Sequence, residues 1–148
     1  MKHVSTFARG VVAAAVVAVL AGCATTSQEP PPVRTVYHLT NGPDEAQRAL
    51  GNIRNHLNAD PKANIVVVAN GDGILFMLDG AKDRNGNPFD AAIQDLKGKG
   101  VDFRLCNNTL VQRKIDKSRV IPDVAIVPSG VAEAATLQAQ LGYAYLRP

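Results

Sequence analysis

Asn64-Ile65-Val66-Val67-Val68-Ala69-Asn70-Gly71-Asp72-Gly73 is the stretch that decides the fold. From Ile65 to Ala69 every residue is apolar and all but the last are β-branched. A half-buried strand alternates apolar and polar positions. A run without a polar position is covered on both faces, as strands of parallel sheets are. Asn70-Gly71-Asp72-Gly73 ends it in a turn. The next apolar segment, Ile74 to Ala81, suits a buried helix or a helical turn.

The same alternation extends outward. Upstream, Thr35-Val36-Tyr37-His38-Leu39 reads as a first strand and Asn41-Gly42-Pro43 as a loop. Asp44 then caps a helix, with Gln47 completing a capping box. Ala46, Leu50, Ile53 and Leu57 follow at helical spacing. Downstream, Lys82 to Pro88 is a loop and Phe89 to Lys97 a helix with Ala92, Ile93 and Leu96 on its apolar side. Gly98 and Gly100 end it. Val101 to Cys106 is a strand, and Asn108-Thr109 caps a short helix. Asp123 to Val127 reads as another buried strand. Pro128-Ser129-Gly130 leads into a helix from Val131 to Leu141, with Ser129 as its cap. Gly142 stops it, and Tyr143 to Leu146 is a last strand. Strand–helix alternation predicts an α/β fold: a largely parallel sheet of about five strands with helices on both faces, in three layers. Val33 to Pro148 is enough for one domain.

In such folds ligands gather beyond the carboxyl ends of the strands. Four turns meet there: Asn41-Gly42, Asn70 to Gly73, Cys106-Asn107-Asn108 and Pro128-Ser129-Gly130. Cys106 is the candidate reactive group. A thiol between a strand end and a helix start faces unpaired N–H groups, which favour the thiolate. The alternative is a buried cysteine acting as a small apolar residue. Gly71, Asp72 and Gly73 either approach an anion or form a tight turn; the Lys and spacing of a phosphate-binding loop are missing. His38 lies on the side of Cys106, where a Cys–His pair activates a nucleophile, but it equally suits the core or solvent. His56 falls on a polar helix face. Arg104 is assigned to the sheet face opposite Cys106, placed for a subunit contact. Asp83 to Asn87 resembles a calcium loop, but Pro88 and Gln94 stand where Gly and Glu belong. No Cys/His cluster has metal spacing, and no metal is expected. Ser129 is outside any Gly-x-Ser-x-Gly turn, so capping is its better role.

The amino end carries a separate message. Lys2, His3 and Arg9 precede the apolar run Val11 to Leu20, which ends in Leu20-Ala21-Gly22-Cys23. A basic start, a short apolar run and small residues make a secretory signal peptide. The run is short for a membrane span, which takes about 20 residues. Leu-Ala-Gly-Cys resembles the bacterial lipobox, in which Cys23 is lipidated and becomes the first mature residue. Ala24 after it matches the pattern retained for the outer membrane. Ala24 to Pro32 is small, polar and proline-rich, a tether. Losing Lys2 and Arg9 lowers the formal charge from +3 to +1, 14 basic against 13 acidic residues. With no basic stripe and no Trp, nucleic acid is not an expected partner. With Cys23 lipidated, Cys106 has no intramolecular disulfide partner.

Phe103-Arg104-Leu105-Cys106-Asn107-Asn108-Thr109-Leu110, then Val127-Pro128-Ser129-Gly130-Val131, then Leu137-Gln138 and Leu141-Gly142-Tyr143-Ala144-Tyr145 resemble, in that order, the DsrE/DsrF-like sulfur-relay family. The likeness runs from Val36 to Leu146. It implies a flavodoxin-like fold, assembly into homo-oligomers such as trimers or hexamers, and a cysteine that carries sulfur as a persulfide. Cys106 falls where many single-domain members have that cysteine. The chain departs from the family in its leader: the sulfur-relay members work in the cytoplasm.

The expected organisation is a lipoprotein signal peptide over residues 1–22, a lipidated tether over 23–33 and a DsrE/DsrF-like domain over 34–148. The expected function is an envelope-anchored, periplasm-facing protein whose Cys106 accepts, carries or senses sulfane sulfur. Its partners are a sulfur donor or acceptor thiol, the membrane through the lipid, and further copies of itself; no cofactor is expected. Asn107, Asn108 and backbone N–H groups stabilise the sulfur anion, and Ser129 and Gly130 complete the pocket. The rival is a non-enzymatic small-ligand-binding or assembly module that uses Cys106 only for packing.

Overall fold

The β-branched run becomes the central strand of an all-parallel, five-stranded sheet in the computed structural model, which describes residues 30–148. The strands are β1 (Arg34–Leu39), β2 (Asn64–Ala69), β3 (Asp102–Cys106), β4 (Ala125–Val127) and β5 (Ala144–Leu146). Their order is β4-β3-β2-β1-β5, and every pairing is parallel. The leader, Cys23 and the tether as far as residue 29 lie outside the described residues.

Four α-helices, α1 (Pro43–Ala59), α2 (Phe89–Gly98), α3 (Asn107–Arg113) and α4 (Gly130–Ala139), pack around the sheet with two short 3-10 helices, Gly71–Met77 and Lys117–Arg119. The split of the core follows strand parity. Tyr37, Leu39, Ile65, Val67, Phe103 and Leu105 pack with Ala46, Leu50 and Ile53 of α1, Ile93 and Leu96 of α2 and Leu110 of α3. Val36, Val66 and Val68, on the other face, pack with Ala134 and Leu137 of α4. The result is the expected three-layer architecture with unequal layers, because one helix covers the second face.

Several local expectations change. The amino-terminal cap of α1 is Gly42, with Pro43 opening the helix, and Asp44 lies inside the first turn. Proline is preorganised for that position, since its missing N–H has no intrahelical partner there anyway. Glu45, rather than Gln47, reaches back from α1. Its buried carboxylate accepts from the Thr40 and Asn41 N–H groups at 2.8 and 2.7 Å and from the Asn41 side chain at 3.0 Å. The segment after Gly71 is a 3-10 helix, the tighter of the two alternatives. Strand β4 is short and exposed at Ala125 and Ile126. Its run of apolar residues resembles β2 in sequence, but β4 is an edge strand with a neighbour on one side only. Cys106 is the cap of α3, in place of Asn108-Thr109.

Candidate functional site

Cys106 closes β3 and opens α3, and the chain around it is pinned from three directions. From β4, the Pro128 carbonyl accepts the Asn108 N–H at 3.2 Å. From the turn after β2, the Gly71 N–H donates to Thr109 Oγ1 at 3.2 Å. From α4, Gly130 fits against the thiol: a Cβ added there would lie 3.2 Å from each of Ala69 O, Asn70 Cβ and Cys106 Cβ. A side chain at 130 would therefore press on both β2 and the cysteine.

The side chain of Cys106 is a free thiol, only 4 % exposed. Two opposed effects act on its acidity. Burial raises the pKa, because it penalises the charged form. The Thr109 hydroxyl and the N–H groups of Gly130, Thr109 and Asn108 lower it, and together they win: the thiol's pKa lies below its ordinary value. None closes a capping bond with the thiol itself; their weight is electrostatic and falls on the thiolate. Thr109, itself buried, serves twice. It accepts from Gly71 and so turns its own proton toward the sulfur.

The other expected residues divide clearly. Gly130 and Asn108 act through backbone N–H groups. Ser129 caps α4, accepting from the Ala132 N–H at 3.4 Å. Asn107 is not among the donors to the sulfur; its Oδ1 is buried without a hydrogen-bond partner. The Gly71-Asp72-Gly73 turn is a tight turn. Gly71 has φ +57°, the left-handed region that glycine tolerates best. The Gly73 N–H is bonded to Asn70 O at 3.1 Å, and Asp72 is ion-paired to Arg113. The Gly71 and Gly73 N–H groups are thus already paired within the chain.

His38 makes no hydrogen bond to the thiol. Its Nε2 bonds Asn70 Oδ1 at 2.7 Å and its Nδ1 bonds the Tyr145 hydroxyl at 2.8 Å. Since Oδ1 only accepts, Nε2 donates to it, and Nδ1 is left to pair with the Tyr145 hydroxyl. His56 bonds Tyr37 at 3.0 Å and is partly buried. Arg104 shares the face of Cys106, as residues two apart on a strand must. It is held within the chain by Asp102 at 2.6 Å and by Glu133 of α4, which corrects its assignment to the opposite face. Thr109 and Asn70 were not singled out as site residues. Thr109 carries the one usable signal, a hydroxyl three residues beyond the thiol at the start of a helix.

A shallow hollow of about 270 Å³ lies beside the site, lined by Asn107, Lys117, Ile126, Val127 and Pro128. Larger hollows lie elsewhere, one of about 530 Å³ between α1 and α2 and one of about 620 Å³ lined by Val33, Arg34, Asn64 and Leu141. Volume alone would favour those; the chemistry converges on Cys106.

Residues 35–148 match the DsrE/DsrF-like family. No curated protein matches the sequence. Among solved structures, a protein of unknown function, MTH1491 from Methanobacterium thermoautotrophicum, is similar at 27 % identity and a TM-score of 0.70, over 78 % of this chain and 99 % of that one. The ychN protein from E. coli shares the fold at 17 % identity and a TM-score of 0.61, over 80 % of this chain and 100 % of that one.

Proposed function

The chain belongs to the DsrE/DsrF-like family, and from that premise we propose that Cys106 accepts, holds and passes sulfane sulfur. One observation carries the proposal: the nearly enclosed thiol sits at the junction of β3 and α3 against Gly130 of α4, where the Thr109 hydroxyl and neighbouring N–H groups hold its pKa below the ordinary value despite burial. The thiolate attacks the outer sulfur of a persulfide or polysulfide. A bond forms between Cys106 Sγ and that sulfur, the donor's S–S bond breaks, and its electron pair leaves on the donor thiolate. No net oxidation occurs, since the sulfane sulfur only changes carrier. A second thiolate then takes the outer sulfur and returns Cys106 to its starting state. The small exposed area of Cys106 as a whole favours small inorganic donors over bulky ones.

The low exposure also favours the second reading, a cysteine that only packs. Against it, a packing cysteine needs no hydroxyl and no helix start beside its sulfur to lower its pKa. Incubation with inorganic polysulfide, followed by intact-mass analysis, separates the two. Gain of one sulfur atom at Cys106 supports the carrier; no gain by the folded protein leaves packing.

Two further proposals concern where and in what state the protein works. Cys23 carries a lipid and residues 23–33 tether the domain to the envelope, facing the periplasm. Cys23→Ala is expected to block lipid attachment and leave an unprocessed form. A mature chain without added acyl mass, extracted from wild-type cells, would sink the proposal. The domain also forms a homo-oligomer: Val111, Ile126 and Val131, on α3, β4 and α4, are large apolar side chains left exposed, of the kind that marks interaction surfaces. Light scattering on the chain without its leader and tether is expected to give a multiple of the monomer mass; a monomer at high micromolar concentration refutes it.

A further inference from the structure

The groups that lower the pKa of Cys106 act on Sγ. A persulfide carries its charge on the outer sulfur, about 2 Å farther out, and needs a donor of its own. Asn70 stands at the correct place. It follows β2, its backbone N–H is fixed to Leu39 O at 3.0 Å, and its Cβ and that of Cys106 both lie 3.2 Å from where a Cβ of Gly130 would be. The two side chains therefore leave the backbone no more than twice that distance apart.

Its carboxamide is held by an unusual support. Oδ1 is bonded to His38 Nε2, and His38, 8 % exposed, is fixed in turn by the Tyr145 hydroxyl, with the two rings edge-on. Burying a histidine is costly unless its polar atoms are paired, and here both ring nitrogens are, one of them to the hydroxyl of the more exposed Tyr145. The bond to Oδ1 fixes which way the amide faces. Its Nδ2, a double donor, has no partner among the described residues.

Resting on the sulfur-carrier reading above, we propose that Asn70 Nδ2, oriented by His38 and Tyr145, donates a hydrogen bond to the outer sulfur of a persulfide on Cys106. Asn70 is then a binding residue for the carried sulfur and His38 a positioning residue. The bond favours the persulfide anion over its protonated form, and so holds the carried sulfur in its charged form, which like charge shields from stray thiolates.

The test loads wild type, Asn70→Ala and His38→Phe with inorganic polysulfide and follows the near-ultraviolet absorbance of the persulfide anion against pH. A hydrogen bond to a charged acceptor is worth about 1.5–3 kcal/mol, so Asn70→Ala is expected to make the bound persulfide roughly tenfold or more weaker as an acid. His38→Phe, which preserves bulk and removes both bonds, shifts the titration the same way by less. The pH dependence of iodoacetamide alkylation of the unloaded thiol distinguishes a general disturbance, since Asn70 is not among its donors. If wild type loads and both variants titrate with it, the proposal fails alone. If wild type takes up no sulfur, the carrier reading fails and takes this proposal with it.

Discussion

Cys106→Ser is expected to abolish sulfur uptake completely while leaving the fold intact. Serine occupies nearly the same volume and still accepts from the surrounding donors, but its hydroxyl does not ionise near neutrality and forms no persulfide. Intact mass after polysulfide treatment is the measurement. Any sulfur retained by the variant would place the chemistry elsewhere. The same substitution reads the thiol's acidity through stability. A group whose folded pKa is depressed stabilises the fold fully above its unfolded pKa, about 8.5 for cysteine. That contribution is lost as pH falls through the folded pKa. Wild type should therefore gain stability relative to Cys106→Ser as pH rises toward and past that value, in urea titrations at matched ionic strength. Thr109→Val, which removes the first of the lowering donors, should narrow the gain. A difference that is flat with pH, or that shrinks as pH rises, would show that burial wins.

Gly73→Ala is expected to be the most damaging small substitution in the domain. An added Cβ would lie 2.3 Å from the Leu39 carbonyl oxygen and 2.8 Å from the Thr40 nitrogen. Both are backbone atoms at the end of β1, and that carbonyl already accepts the Asn70 N–H, so nothing there yields without unpicking the sheet. Overpacking usually costs about 1–3 kcal/mol; a clash with fixed backbone belongs at or above the top of that range. At roughly 4 °C per kcal/mol for a domain of this size, the melting temperature should fall by about 10 °C or more. Gly51→Ala is the contrast. Gly51 lies inside α1 with open space around its Cβ position, and alanine there should raise stability by about 0.5–1 kcal/mol. Equal melting points for the two variants would refute the close approach.

The fold was largely legible because its strongest signal, Ile65 to Ala69, needs no partner to interpret. A run of five apolar residues is long enough to need cover on both faces, and β2 finds it at the centre of the sheet. The edge strands were harder. Whether Ala125-Ile126-Val127 is buried depends on which strand lies beyond it, and that is a matter of strand order. Cys106 was legible from its place between strand and helix, and so were the turns that meet it. What the turns contribute was not. Gly71 to Gly73 looked like donors for a ligand, yet Gly71 serves Thr109 and Gly73 serves the packing against β1. The His38–Asn70 pairing joins neighbouring strands, and the Tyr145 bond reaches across to β5, so neither follows from local spacing. Arg104 was the exception: parity alone puts it on the face of Cys106.

The sheet order has a consequence for when the surroundings of the thiol are assembled during synthesis. Strands β1, β2 and β3 are laid down in spatial sequence, but α4 must then cross one whole face so that β5 can pair with β1. That pairing joins residues more than a hundred positions apart, the kind of contact that forms late. Gly130, one of the donors to the sulfur, and Tyr145, the anchor of His38, both arrive with this final segment. A chain still emerging carries Cys106 with only its local neighbours. The Gly130 contact and the Tyr145 anchor are added when the last crossing docks, so the surroundings of the thiol are completed only with the whole domain.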